Sequence, residues 1–268
     1  MTGAAEESTG LPDFLVREPA SAYHGLNPLT KAVAATVIAV AAVALGGLVA
    51  PIVLTAVGIV IPAAIAGLLP RLLRISLIAV LPLAISGFLI NLFFLPGATD
   101  VLLRLGPLTA TGEGLWLGLE IVARVVAISG AITLFYLTTP PYELVADLER
   151  RGVSPRLAFV ANASAQAVPA MVERAAAILA AQRARGLDTE GNPLRRVTAL
   201  VPIVGPVILG TLTEVEERTL ALEARAFSRP GARTLLWWPP DSILQRAARW
   251  SLVLGLVGLI VARSVLLS

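Results

Sequence analysis

Residues 32–69 read AVAATVIAVAAVALGGLVAPIVLTAVGIVIPAAIAGLL and contain no charged side chain. This run is too long for one membrane crossing, because a helix covers about 30 Å of hydrocarbon with roughly 20 residues. It has about the right length for two crossings, and Gly46, Gly47 and Pro51 supply a turn near its middle. We therefore predict spanning helices near residues 32–49 and 51–69.

The remaining apolar runs predict three more crossings, near residues 75–95, 115–138 and 248–267. Residues 98–114 contain charges and glycines, and we predict a loop or a short interfacial piece there. Of the 268 residues, 56% are hydrophobic and only 15% are charged. The chain is therefore expected to be an all-α, polytopic protein with about five helices that span a lipid bilayer.

The basic residues predict the orientation of the chain. With the N-terminus in the cytoplasm, most Lys and Arg residues fall on the cytoplasmic side, and Arg104 and Arg263 are left outside. Because the basic residues lie beside apolar runs, they indicate orientation in a membrane rather than a nucleic-acid site. The high Ala, Arg and Leu content favours a bacterial chain, and hence a bacterial plasma membrane. The predicted domains are an N-terminal cytoplasmic segment (1–31), four spanning helices (32–138), a cytoplasmic region of long helices (139–247) and a last spanning helix (248–268).

Two long helices are predicted in this cytoplasmic region. The first begins at Ser154-Pro155, an N-cap followed by a proline in the first turn, and reaches Gly186, a length of about 45 Å. Pro169 is expected to kink it. The second is predicted over residues 194–227. The residues expected to bend or break it are Pro202, Gly205 and Pro206.

Residues 197–212 have a second interpretation, as a further crossing. The run is short, however, and includes two prolines and two glycines. A crossing would also place the arginines of residues 218–233 outside, against the charge rule. A re-entrant or protein-buried helix is therefore favoured.

The two predicted cytoplasmic helices end in the same way. Residues 181–186 read AQRARG and residues 221–226 read ALEARA, so both follow the pattern Ala-x-x-Ala-Arg-small. Taken singly, each is also consistent with an ordinary helix ending, since a cation opposes the helix dipole and glycine takes the left-handed conformation. Together they favour two slim tips whose guanidinium groups reach a carboxylate or carbonyl in a partner's groove.

These motifs resemble those of a known family. Residues 26–31, LNPLTK, lie just before the first span and are similar to an N-terminal Pro-x-Thr-Lys element. Ala184-Arg185-Gly186 and Ala224-Arg225-Ala226, the latter followed by Arg233-Thr234, match paired Ala-Arg-Gly motifs. The chain thereby resembles the transmembrane T component of energy-coupling factor (ECF) transporters, which includes the membrane subunits of cobalt and biotin uptake systems.

The resemblance implies a non-catalytic subunit of an ATP-driven importer. Two coupling helices would dock their ends into two ATP-binding cassette (ABC) ATPase subunits, and a separate substrate-binding membrane (S) subunit would carry a vitamin or a transition-metal ion. The implied ATPase-docking residues are Ala184, Arg185, Gly186, Ala224, Arg225 and Ala226. ATP and Mg would be bound by the partner ATPases, because the chain has no Gly-x-x-x-x-Gly-Lys-Ser/Thr loop. No cofactor is expected in this chain.

One residue departs from the family pattern. Ala226 stands where the family usually has glycine, and alanine accepts a left-handed φ less readily. The second helix is therefore expected to end differently, or to continue through Phe227.

Glu120 and Arg124 are charged residues inside the predicted fourth span. They lie four positions apart in the order that favours a helical ion pair, so we predict a structural pair that holds helices together. A proton path would need further polar groups, and the other spans offer only Asn91 and scattered hydroxyls.

The alternative functions are a permease subunit of an ordinary ABC importer and, less favoured, a membrane-embedded enzyme. A membrane-embedded enzyme would need clustered polar residues, whereas the aspartates look isolated: Asp13, Asp100, Asp147, Asp188 and Asp241. An ordinary ABC permease normally presents one short coupling helix rather than two long ones. No catalytic residue and no metal site are predicted, since the chain has no cysteine and only one histidine, His24.

Two further groups have plain structural interpretations. Glu214, Glu216 and Glu217 are expected to form a solvated face or to pair with nearby arginines. Trp237 and Trp238 precede the last span and are expected to anchor it at the membrane interface.

Overall fold

A computed structural model describes residues 21–97, 100–105, 108–186, 201–227, 229 and 239–267. These residues fall into two compact units. The membrane unit comprises residues 21–150 and 239–267, and the insertion unit comprises residues 151–186 and 201–227.

Most elements of the membrane unit are helices. They are α1 (Pro28–Ala44), α2 (Val49–Ile65), α3 (Leu69–Phe94), α4 (Gly112–Thr138), α5 (Pro141–Arg150) and α8 (Ile243–Leu267). A π-helical turn at Ala56–Val60 lies inside α2. The strands β1 (Val101–Leu105) and β2 (Leu108–Thr111) separate α3 from α4. The insertion unit contains α6 (Pro155–Ala184) and α7 (Val201–Ala224).

Five apolar helices occupy the five predicted spans. Helices α3 and α4, and residues Ile243–Val265 of α8, are long and apolar enough to cross a membrane. Helices α1 and α2 are shorter apolar helices at the lower limit for a crossing. The prediction of an all-α membrane protein with about five spans is therefore confirmed. The largest difference in bounds is that α3 begins at Leu69 rather than near residue 75, because Pro70 fits the first turn of a helix.

The segment between α3 and α4, predicted as a loop or a short interfacial piece, contains two strands. Strands β1 and β2 pair antiparallel, with Val101 opposite Thr111. The charges and glycines of this segment favour a loop. However, only two residues separate the short runs 101–105 and 108–111, and this is the spacing of a tight hairpin. Thr111 then caps α4, since its Oγ accepts from the backbone N–H of Gly114 at 3.1 Å.

Helices α3 and α4 pack closely along two glycines. A Cβ on Gly118 would lie 2.9 Å from a ring carbon of Phe88 and 3.2 Å from its backbone oxygen. A Cβ on Gly114 would overlap with the backbone oxygen of Asn91. Gly118, the later glycine of α4, faces Phe88, the earlier of the two α3 residues, so the helices run antiparallel. Small residues four positions apart let the two helices approach closely.

We expect Gly114→Ala to lower the thermal stability of the purified protein, although alanine is ordinarily the better helix former. The added methyl group forces α4 away from α3 at a cost of about 1–3 kcal/mol. Gly255→Ala in α8 is the matched control, because nothing lies within 4 Å of a Cβ there. It should be neutral or stabilising by up to about 1 kcal/mol. Thermal unfolding in detergent measures both, and equal melting temperatures for the two variants would contradict the packing argument.

The core of the membrane unit is small and its outside is apolar. The core cluster consists of Ile38, Ile59, Ala63, Leu72, Ala131 and Leu134. Large apolar side chains of α3 remain exposed, among them Leu77 at 62% and Ile78 at 68%. Such a surface would be costly in water and is suited to lipid tails.

Helix α6 of the insertion unit begins as predicted. The Oγ of Ser154 accepts from the backbone N–H of Leu157 at 3.3 Å, and Pro155 occupies the first turn. Pro169 lies inside this 30-residue helix. Helix α7 contains Pro206 in its interior, so over the described residues it continues rather than breaks there. Its predicted start near residue 194 lies outside the described residues.

Candidate functional site

The first tip, Ala184-Arg185-Gly186, ends α6. Arg185 is the C-cap residue, with φ −87° and ψ 6°, and Gly186 follows with φ 91°. The backbone N–H of Gly186 donates to the carbonyl of Arg183 at 3.0 Å. All three residues of the tip are exposed. Glycine is suited to this position because a positive φ carries no Cβ penalty.

The second tip, Ala224-Arg225-Ala226, ends α7 in the same conformation. Ala226 has φ 57°, and its N–H donates to the carbonyl of Glu223 at 2.9 Å. The N–H of Phe227 donates to the carbonyl of Leu222 at 2.9 Å, which completes a Schellman motif. The expectation that alanine would make this helix end differently, or let it continue through Phe227, is therefore wrong. The paired backbone hydrogen bonds hold Ala226 in the left-handed region despite its Cβ.

We expect Ala226→Gly to raise the thermal stability by about 1 kcal/mol, because it relieves the left-handed alanine. Ala224→Gly, two positions earlier, is the control. Ala224 lies inside the helix, where glycine is expected to be destabilising by about 0.5–1 kcal/mol. Melting temperatures of both variants check the prediction, and a destabilised Ala226→Gly protein would contradict the strain argument.

The two arginines of the tips are available to a partner. Arg185 and Arg225 are exposed, and neither side chain makes an ion pair or hydrogen bond with any residue that the structure describes. The neighbouring side chains, Ala184, Gly186, Ala224 and Ala226, are small. Among the residues that the structure describes, each tip therefore presents an unpaired guanidinium on a narrow helix end, which suits a concave acidic or carbonyl-lined groove.

Helices α6 and α7 are joined near their middles by an ion network. Arg174 of α6 pairs with Glu214 of α7 and donates to Thr211 Oγ1 at 3.4 Å, and Glu214 also pairs with Arg218. The hydrogen bond from Arg174 lowers the pKa of Glu214 below its ordinary value, and the positive charges of both arginines act in the same direction. Glu214 thus pairs with nearby arginines, one of the two roles considered for the acidic cluster.

A second contact shows the direction of the two helices. The rings of Phe159, near the start of α6, and Phe227, just after α7, have centroids 5.0 Å apart. Because later residues of α7 contact earlier residues of α6, the helices run antiparallel. The second tip therefore lies beside the beginning of α6, and about 40 Å of α6 separates it from the first tip.

The Pro-x-Thr-Lys element begins α1 and is buried. Asn27 is the N-cap, and its Oδ1 accepts from the N–H of Leu29 at 3.0 Å. Its Nδ2 donates to Asp147 Oδ1 of α5 at 3.0 Å. The Oγ1 of Thr30 accepts from Arg249 of α8 at 2.9 Å. The element thus joins three helices of the membrane unit.

Lys31 completes this element and is 1% exposed. Its Nζ donates to the carbonyl of Thr138 at 2.9 Å and to the carbonyl of His24 at 3.0 Å. Thr138 is the last residue of α4, so the ammonium group satisfies a carbonyl at a helix C-terminus. It also lies 5.8 Å from the centre of the Tyr23 ring, within range of a cation–π contact.

Two aspartates that look isolated in the sequence are brought together. Arg150 NH2 lies 2.7 Å from Asp147 Oδ1 and 3.2 Å from Asp241 Oδ2, and Arg249 NH2 lies 2.9 Å from Asp241 Oδ1. The side chains of Asp147 and Asp241 are 0% and 2% exposed. Treating them as isolated was therefore wrong. The two residues are 94 positions apart in the chain, and the available signal was only that each acidic residue stands near arginines at a polar–apolar boundary.

Glu120 and Arg124 form an ion pair within α4. Glu120 also accepts from the backbone N–H of Gly47, and Arg263 of α8 donates to the carbonyl of Ala44. The side chains of Glu120 and Arg263 therefore bind the backbone at the end of α1. That this pair is structural rather than part of an ion path stays a prediction.

The anchor predicted at Trp237 and Trp238 lies outside the described residues, as do Asp13 and Asp188. His24 is half-buried, and its Nδ1 lies 2.8 Å from Ser21 Oγ.

Comparison with known proteins gives the class of this chain. The CbiQ family, described as cobalt transport protein, matches residues 19–235, and the chain belongs to this family. It is 33% identical over 155 residues to the energy-coupling factor transporter transmembrane protein EcfT of Heliobacterium modesticaldum, covering 54% of this chain and 58% of the relative. It is 34% identical over 162 residues to EcfT of Listeria innocua, covering 56% of this chain and 61% of the relative.

A third similar protein is of another kind. A putative ABC transporter ATP-binding protein of Bifidobacterium longum is 32% identical over 160 residues, which is 56% of this chain and 20% of that protein. The chain thus spans less than two thirds of the curated relatives that it matches. The EcfT relatives carry the name of a transporter membrane subunit, in agreement with the prediction that the chain is not an enzyme.

Proposed function

We propose that this chain is the transmembrane coupling subunit of an ECF-type ABC importer. Two ABC ATPase subunits bind ATP and Mg, and a separate S subunit binds a vitamin or a transition-metal ion. The observation that carries the proposal is the matched pair of tips, each an exposed C-cap arginine followed by a small residue at positive φ.

The geometry of the tips supports docking. A helix C-terminus directs its last carbonyls at a partner, and the adjacent guanidinium offsets their partial negative charge while it donates to an acidic side chain. Because the tips lie at opposite ends of an antiparallel pair, each suits a different ATPase subunit. The Arg174–Glu214 pair joins the helices between the tips, so that ATP-driven movement at one tip is passed to both helices.

The proposal includes an orientation. With the N-terminus and the insertion unit in the bacterial cytoplasm, the ends of α6 and α7 meet the ATPases there, and the S subunit, which is embedded in the plasma membrane, packs against the same helices. The similarity to a putative ABC ATP-binding protein supports this association, since it places a related sequence in a protein of that name. No nucleic acid takes part.

Affinity purification of the tagged chain from mild detergent, followed by mass spectrometry, tests the proposal. We expect ABC ATPase subunits and a small hydrophobic protein to co-purify, and the small protein then identifies the substrate. An ordinary permease would also retain ATPases, but it would support uptake without a separate S subunit. Purification of the chain alone, from cells that express the neighbouring transport proteins, would count against the coupling role.

A further inference from the structure

Both chain connections to the insertion unit leave the membrane unit beside one buried polar cluster. Asp147 and Arg150 belong to α5, which ends at the residue before the insertion unit begins. Asp241 lies among the first described residues after it. Arg150 contacts Asp147 at 2.7 Å and Asp241 at 3.2 Å. It therefore links the outgoing segment, which is the end of α5 before the insertion unit, to the returning segment, which is the chain around Asp241 after it.

The same cluster is attached to the start of α1. Asn27 donates to Asp147 at 3.0 Å. Arg249 contacts Asp241 at 2.9 Å and donates to Thr30 Oγ1 at 2.9 Å. All of these residues lie in the membrane unit, and we name them the clamp: Asn27, Thr30, Asp147, Arg150, Asp241 and Arg249.

The two carboxylates of the clamp are enclosed, since the side chains of Asp147 and Asp241 are 0% and 2% exposed. Arg150 and Arg249 neutralise them from within the clamp, and the more exposed Arg246 also lies 3.2 Å from Asp241. Opening it would leave a charge unpaired at a site with little access to water, which is strongly unfavourable. The clamp should therefore stay closed while other parts of the protein move.

We propose that the clamp is the fixed link through which movement of the insertion unit reaches the membrane unit. Its members are positioning residues: they contact neither ATP nor substrate, and they keep the outgoing and returning segments together on α1. If the clamp opens, the two segments move independently and ATP hydrolysis continues without uptake. This inference rests on the proposed function and adds to it the residues that carry the movement.

Asp241→Asn tests the clamp because it keeps the shape of the side chain and removes the charge. The purified complex is placed in proteoliposomes, and ATP hydrolysis and uptake are measured together. The uptake probe is whichever of radiolabelled Co²⁺, Ni²⁺, biotin, thiamine or riboflavin the wild-type complex accumulates. We expect uptake to fall at least about tenfold while ATP hydrolysis falls less than about twofold, so the ATP used per molecule taken up rises.

The matched control is Glu149→Gln. Glu149 lies two residues from Asp147 on α5, and it makes no ion pair or side-chain hydrogen bond with any part of the chain that the structure describes. The Glu149→Gln complex should hydrolyse the same amount of ATP per molecule taken up as the wild-type complex. An unchanged ratio in Asp241→Asn, whether both activities persist or both fall together, would overturn the clamp. Failure of the wild-type complex to contain ATPases or to accumulate any probe would instead count against the proposed function.

A second variant keeps the inference testable if Asp241→Asn does not fold. The chain has no cysteine, so Asn27→Cys with Asp147→Cys can be joined by a short thiol-specific cross-linker without competing sites in this chain. Unlinked, this variant should show the same loss of coupling. Cross-linked, it should recover uptake to within about twofold of wild type, because a covalent bond replaces a contact that stays closed. No recovery on cross-linking, or further loss, would show that the contact must open and would overturn the proposal.

Discussion

Replacing Arg185 and Arg225 together by alanine is expected to abolish ATP-driven uptake while the chain still folds and inserts. Both guanidinium groups are exposed and unpaired within the described part of the chain, so their removal should not disturb the fold. In the assembled transporter, each truncated tip would leave a partner's acidic or carbonyl-lined groove without its donor. We expect each single change to weaken assembly about tenfold or more, and the double change to remove measurable uptake.

Co-purification of the ATPases and uptake into proteoliposomes measure this effect. Arg104→Ala is the matched control, because Arg104 is an exposed arginine of β1 in the membrane unit and belongs to neither tip. It should behave like the wild type, which separates a specific loss from a general loss of positive charge. If the correctly inserted double variant takes up substrate within about twofold of the wild-type rate, the tips are ordinary helix ends and the docking mechanism is wrong.

Replacing Lys31 by methionine is expected to lower stability more than the other single changes in the membrane unit discussed above. Methionine keeps the length of the apolar stem, so the loss concerns the ammonium group alone. The carbonyls of Thr138 and His24 would then be left without their donor in a buried site, at about 1–3 kcal/mol each. The total loss of about 2–6 kcal/mol corresponds to a fall in melting temperature of roughly 4–24 °C.

Lys31→Arg separates the role of charge from that of geometry. The guanidinium keeps the positive charge but is planar and larger, and it would have to fit an enclosed site where Lys31 is only 1% exposed. We therefore expect Lys31→Arg to be destabilised too. A melting temperature of Lys31→Met equal to that of the wild type would show that the carbonyl contacts contribute nothing. A normal Lys31→Arg protein would show that charge alone is sufficient.

Features set by local sequence could be predicted well. A long uncharged run is stable only in lipid or in a protein core. The five apolar helices could therefore be predicted from the lengths of such runs and from the positions of the arginines between them. The beginning of α6 at Ser154-Pro155 and the ends of α6 and α7 follow from capping chemistry within a few residues.

Features that depend on distant residues could not be predicted in the same way. The contacts between Asp147, Arg150 and Asp241 join segments far apart in the chain, and nothing in the flanking residues shows which arginine an aspartate will meet. Ala226 is a local example of the same difficulty. Alanine does disfavour a left-handed φ, but the two backbone hydrogen bonds around Ala226 outweigh this preference.

The enclosure of Lys31 has a practical consequence for chemical modification. Lys31 is the single lysine of the chain, and every other basic side chain apart from His24 is an arginine. Reagents that acylate lysine amines should therefore leave the native side chains untouched and react at one known position only when the N-terminal end of α1 opens. The rate of that acylation would report local opening of the membrane unit in native lipid, without any introduced label.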